Sequence, residues 1–158
     1  IGDTIDLRLR PHKNFRLGNN LDRPLILIGN GTGLAGLRSH LKARAAHGMQ
    51  RNWLVFGERN AANDFYYRDE IEAWQNQGVL ERADIVFSRD QEQRIYVQDK
   101  LREQAEQVRN WLAAGAAIYV CGSLEGMAGG VEASLTDIIG STGVEQLIEQ
   151  GRYRRDVY

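Results

Sequence analysis

"LILIGNGTGLAGLR", residues 25–38, carries an apolar strand into a glycine turn and out into a helix. Four consecutive apolar residues, Leu25 to Ile28, suit a parallel strand covered on both faces. Gly31, Gly33 and Gly36 then spell G-x-G-x-x-G. Glycines so spaced let a backbone approach a pyrophosphate at a helix N-terminus, where free N–H groups and the helix dipole favour anions. The acidic residue that would hold a ribose 2′-hydroxyl, about 20 residues further on, would be Glu58. Taken literally, the motif predicts NAD. A bare strand-to-helix turn with no ligand is the plainer alternative.

Outward from this turn, strand-like and helix-like patterns alternate. "NWLVFG" (52–57), "DIVFS" (84–88) and "AIYVCG" (117–122) read as further strands. Helices are expected at 34–46, closed by Gly48, and at 67–77, closed by Gly78. Val97, Leu101, Val108, Trp111 and Leu112 recur at helical spacing across 96–114. Met127, Val131, Leu135 and Ile138 mark another helix, with a short helical segment at 144–149 and a tail, "RYRRDVY". The alternation predicts an α/β fold with a doubly wound, mostly parallel sheet flanked by helices. Ligands of such sheets lie beyond the carboxyl ends of the strands, which singles out 29–36, 57–68, 88–98, 121–130 and the tail. Before all this, Ile5, Leu7 and Leu9 alternate with charged residues like a half-buried strand, and 11–20 is polar and turn-rich.

Composition narrows the classes. The chain has 158 residues, 42% apolar and 26% charged, with a formal net charge of −1. It is long enough for one domain with a substantial core. Near-neutral charge gives no sign of a nucleic-acid partner or an anionic membrane surface. Cys121 is the only cysteine, so no intrachain disulfide forms, which fits a cytoplasmic, reducing setting. No metal-ligand spacing is present, and no apolar run reaches membrane-spanning length. The chain starts at Ile1 inside a strand-like pattern, which reads as a piece of a longer protein.

The third strand argues against NAD. It ends in "SRDQEQRIYVQ" (88–98), where Ser88, Arg89, Arg94, Tyr96 and Gln98 crowd beyond a strand terminus. A 2′-phosphate needs a hydroxyl donor, a guanidinium fork and a second cation, while an adenine ring needs an aromatic or guanidinium face. These residues supply both sets, though a solvated polar loop would read much the same.

"GNGTGLAGLRSHL", "FGERNAANDFYYRDE", "FSRDQEQRIYVQDKLREQ", "IYVCGSLEGMAGGVEASL" and "GRYRRDVY" fall in one order. Together they resemble the ferredoxin–NADP reductase-like NADPH module of diflavin reductases, among them the sulfite reductase flavoproteins. The resemblance implies a five-stranded sheet at 23–158. It also implies that 1–22 is the last strand and linker of a preceding FAD-binding domain. Thr32 matches the family's G-x-G-T-G-x-A-P-F-R turn, so Gly31, Thr32 and Gly33 are expected to hold the pyrophosphate. Gly36 and Leu37 stand where that turn has Pro and Phe, and loss of the proline is expected to loosen the turn. Ser88 and Arg89 match the 2′-phosphate pair, and "RIYVQ" matches K-x-Y-x-Q through Arg94, Tyr96 and Gln98. Arg59 matches a cofactor-facing arginine. Glu58 then loses its NAD-reading role.

Cys121 matches a cysteine near nicotinamide C4 that assists hydride transfer, and Asp156 a tail acid that works with it. Tyr158 matches a terminal aromatic that stacks on the flavin. Where the family commonly reads CGDAxxMAKDVE, this chain has "CGSLEGMAGGVE", so Ser123 and Gly130 replace two acids and Gly129 a base. The implied chemistry is hydride transfer from NADPH to FAD, with electrons passed to FMN, in a flavodoxin-like domain, or to another acceptor. A membrane enters only if attached elsewhere in the parent protein. A reductase with a different acceptor, an NADPH-binding module without catalysis and an NAD-dependent dehydrogenase remain alternatives.

Overall fold

A computed structural model of the chain describes Thr4, residues 12–65 and residues 67–158. The strand expected at 5–9 lies outside these residues. Five strands form one sheet in the order β3-β2-β1-β4-β5: β1 Leu25–Asn30, β2 Asn52–Glu58, β3 Arg82–Phe87, β4 Ala117–Gly122 and β5 Tyr153–Val157. All four pairings are parallel. After β1 the chain steps through β2 to β3, then returns to the other side of β1 for β4 and β5. The order therefore reverses between β1 and β4, and the crevice at such a switch point is where ligands of open α/β sheets bind.

Side chains of a strand alternate between faces, and both faces here are apolar. On one, Leu25, Leu27, Leu54, Phe56 and Tyr119 pack with Leu34, Leu37 and Leu41 of α1 (Leu34–Ala46). After the short α2 (Ala61–Asp64), α3 (Arg68–Asn76) adds Ile71 and Trp74 to that face. On the other, Ile26, Ile28, Trp53, Val55, Ile118 and Val120 meet three helices, α4 (Val97–Glu103), α5 (Ala105–Ala113) and α6 (Gly129–Glu149). The continuous apolar run of β1 is thus explained by burial on both sides.

Two elements differ from the sequence reading. The helix read across 96–114 is two, because Gln104 leaves helical geometry at φ −100° and ψ 25°. The polar tail is β5, an edge strand whose Tyr153 is buried. Gly36 lies in the first turn of α1, within the helix expected at 34–46, and a Cβ there would come within 2.9 Å of the Cys121 sulfur. Its bare Cα leaves that sulfur its place. A Cβ on Gly33 would stand 2.1 Å from the Cys121 carbonyl oxygen, so this glycine lets α1 approach β4.

Candidate dinucleotide-binding site

The carboxyl ends of β1 to β4 open into one cleft of about 730 Å³. Gly31 and Thr32 line it at the end of β1, Arg59 at the end of β2, and Ser88, Arg89 and Arg94 beyond β3. Tyr96 and Gln98, at the start of α4, and the terminal Tyr158 complete the same wall. Residues spread over more than 120 positions of sequence are therefore brought together. Gly33, Cys121 and Asp156 are not among the lining residues.

At the turn, Gly31 takes φ +52° and opens a tight 3-10 turn, Gly31–Gly33, that leads directly into α1. Unpaired N–H groups at such a helix start suit an anion. The Thr32 hydroxyl shares a 2.6 Å hydrogen bond with the Tyr158 hydroxyl, so the last residue of the chain closes over the turn. The Tyr158 backbone is held from both sides. Its N–H donates to the Gly122 carbonyl, and its carbonyl accepts from Leu124 N–H. Tyr158 as a residue is 62% exposed.

At the other end of the cleft, the loops after β2 and β3 are zipped together. Ser88 N–H donates to the Glu58 carbonyl at 2.8 Å, and Arg89 N–H to the Arg59 carbonyl at 2.9 Å. The Asp90 carboxylate accepts from Asn60 Nδ2 and from Ala61 N–H, bracing the same junction. Asp99 accepts Tyr96 N–H and caps α4, which fixes where Tyr96 enters the wall. Arg59, Arg89 and Arg94 form no salt bridge with any described residue. Three guanidiniums around one opening, none in a salt bridge with a described residue, suit a multiply charged anion. Gln98 lines the cleft, but its Oε1 is buried and has no hydrogen-bond partner among the described residues. A Cβ on Gly130 would meet Gln98 Cδ at 2.9 Å, so this glycine leaves room for the glutamine.

Cys121 sits below the cleft, only 3% exposed. Burial first, and the nearby Asp156 carboxylate second, push its thiol up to about 11, against a Gly36 backbone N–H that favours the thiolate. Asp156 is the register partner of Cys121 in the next strand, and its carboxylate lies 3.8 Å from His12 Nδ1.

Sequence reasoning passed over Asn30. Its Oδ1 accepts the Ser123 backbone N–H at 3.0 Å and so ties β1 to the loop after β4 across the switch point. Gly122, at φ +142°, has no room for a Cβ, which would fall 2.2 Å from that oxygen. The signal available was position, since Asn30 is the last residue of a strand ending at a glycine turn. His40 was also passed over. It is buried, with Nε2 unpaired, against Phe15 and Tyr119.

A strand–turn–helix whose turn opens at a helix start and a cation-lined cleft at the switch point define a dinucleotide-binding α/β domain. Residues 27–133 match the family of oxidoreductase NAD-binding domains, and the chain belongs to that family. Among its relatives, the chain is 43% identical over 166 residues to the sulfite reductase (NADPH) flavoprotein alpha-component of Neisseria meningitidis serogroup C, covering 98% of this chain and 28% of that protein. It is 44% identical over 156 residues to the proteins of that name from Salmonella typhimurium and Klebsiella pneumoniae, covering 92% of this chain and 26% of each. The chain thus spans about a quarter of the length of these relatives. No described helix is long and apolar enough to cross a membrane.

Proposed function

We propose that the chain is the NADPH-binding part of a flavoprotein reductase of the sulfite reductase alpha-component kind. The observation that carries the reading is the unpaired trio Arg59, Arg89 and Arg94 with Ser88 at one end of a cleft whose other end is the Gly31–Gly33 turn. A pyrophosphate at the turn and a 2′-phosphate among the arginines account for both ends. Ser88 offers a hydroxyl, Arg89 and Arg94 offer charge, and Tyr96 offers a ring face for adenine. Bound NADPH supplies the hydride, and FAD held mainly by residues outside this chain receives it.

This chain's residues bind and orient. Thr32 and the turn hold the phosphates, and Tyr158 covers the turn through its hydroxyl contact, so its ring must swing aside to admit the nicotinamide end. Cys121 supports the floor beneath that end as a neutral thiol, with Asp156 beside it. Onward transfer passes to FMN in a flavodoxin-like domain or to another acceptor, and the parent protein works in the cytoplasm. Residues 1–22 are assigned to the preceding FAD-binding domain and 23–158 to the NADPH domain.

A second reading, binding without hydride transfer, is favoured by one observation: the Cys121 side chain does not line the cleft. Flavin bleaching on addition of NADPH to the full-length protein separates the two readings. For the binding itself, Arg89→Ala is expected to weaken NADPH about 10–150-fold, the worth of one charge-assisted contact, and NADH far less. Equal weakening of both cofactors in calorimetric titrations would remove the phosphate role.

A further inference from the structure

Asn30, the last residue of β1, stands at the cap position of the Gly31–Gly33 turn. An asparagine there ordinarily turns its side-chain oxygen onto a backbone N–H two or three residues on. Asn30 makes no such bond. Its Oδ1 accepts the Ser123 N–H at 3.0 Å instead, packed against Gly122, where a Cβ would fall 2.2 Å away. The N–H groups of the turn are thereby left without a side-chain acceptor. The amide is also oriented, because a backbone N–H can face only its oxygen, and Nδ2 must point elsewhere. Asn30 is half-buried and lines the cleft, and its Nδ2 is neither buried nor bonded to a described residue.

Strand order decides which part of a bound dinucleotide this donor meets. With the 2′-phosphate beyond β3 and the pyrophosphate over the turn after β1, the molecule runs from β3 toward β4, about 4.8 Å per strand. Of its two phosphates, the one on the nicotinamide side lies nearer β4. Asn30 is tied to Ser123, directly beyond β4, and so sits on that side. The tie belongs to a closed circuit around the turn. Ser123 Oγ donates to the Glu125 carbonyl at 2.8 Å, Leu124 N–H donates to the Tyr158 carbonyl, and the Tyr158 hydroxyl meets Thr32.

We propose that Asn30 is a positioning residue for the cofactor: its Nδ2 donates to the nicotinamide-side phosphate while its Oδ1 holds the loop after β4. One amide thus places both the phosphate and the loop that follows Cys121. This assignment rests on the dinucleotide reading of the cleft.

The test is calorimetric titration of the 158-residue chain at about 0.15 M salt, where exposed charges more than about 8 Å apart are screened. Three ligands are compared: NADP⁺, 2′-phospho-ADP-ribose, which lacks the nicotinamide, and 2′,5′-ADP, which lacks the nicotinamide-side phosphate as well. Asn30→Asp keeps an oxygen for the Ser123 N–H and replaces the donor with a second acceptor. It is expected to weaken NADP⁺ and 2′-phospho-ADP-ribose alike, about 10–150-fold, and to leave 2′,5′-ADP within about threefold. Asn30→Ala, which also cuts the tie, should weaken the first two at least as much. If Asn30→Asp leaves NADP⁺ within about twofold while Asn30→Ala weakens it, Asn30 is a structural tie and nothing more. Equal weakening of all three ligands by Asn30→Asp would mean a disrupted cleft, and a loss that spares 2′-phospho-ADP-ribose would move the contact to the nicotinamide ring. Either result overturns the phosphate contact. Arg89→Ala should weaken all three, since each carries the 2′-phosphate; if it weakens none, the dinucleotide reading itself falls, whatever Asn30 does.

Discussion

His40 shows how much a single buried side chain can settle. Its ring is 4.8 Å from both the Phe15 and Tyr119 rings, and burial holds its pKa down to about 4, partly offset by the Phe15 backbone. In the unfolded chain the same imidazole titrates near 6.5. Between those values the unfolded chain binds a proton that the folded chain refuses, so stability falls as pH drops from about 6.5 toward about 4. The loss on going from pH 7 to pH 5 should be about 2 kcal/mol from this residue alone. Urea midpoints at the two pH values check it: His40→Leu should flatten the difference by that amount, whatever it does to stability at pH 7. Cys121 lies on the same face, and its neutral thiol follows from the same burial. Neither residue declares its setting in the sequence, because Phe15 reaches both neighbourhoods from a segment that precedes the first strand. A lone histidine in a helix and a lone cysteine at a strand end look alike whether covered or open.

At the scale of elements, periodicity was the dependable signal and exposure the weak one. Strands β1, β2 and β4 were legible because their side chains are buried on both faces, which leaves continuous apolar runs. β5 was not, because an edge strand with Arg154, Arg155 and Asp156 along it carries no such run. The break between α4 and α5 left no glycine or proline to mark it, whereas the break in α6 did. Gly140 takes φ 76° and ψ 161°, a conformation open essentially to glycine alone, and it separates the two helical segments expected around it. Gly129, by contrast, opens α6 at φ −65° and ψ −39° with open space where a Cβ would stand. Alanine should therefore act in opposite directions at the two glycines. Gly140→Ala is expected to destabilise by about 1–3 kcal/mol through backbone strain. Gly129→Ala should stabilise by about 0.4–1 kcal/mol through the unfolded chain. Denaturant midpoints moving the same way for both would refute this account of the kink.

Across the whole molecule, the cleft is a product of sheet order. A parallel sheet collects the ends of β1, β2, β3 and β4 on one edge, so motifs far apart in sequence converge without any local sign that they will. Ser88, Arg89, Arg94 and the glycine turn could be placed there from strand ends alone. The Asn30–Ser123 tie and the Thr32–Tyr158 closure could not, since each joins residues more than 90 positions apart through a single hydrogen bond. On the proposed reading the cleft takes the phosphates and ribose of NADPH, and the flavin is held mainly by residues outside this chain. The 158-residue chain should accordingly bind NADPH, purify without flavin absorbance and fail to reduce ferricyanide. Joining it to the FAD-binding region proposed to precede it should restore turnover, and Arg89→Ala in the joined protein should raise KM for NADPH more than it lowers kcat, because the arginine grips a part of the cofactor remote from the hydride. Brisk ferricyanide reduction by a flavin-free preparation of the chain alone would show that the hydride acceptor does not require a second domain.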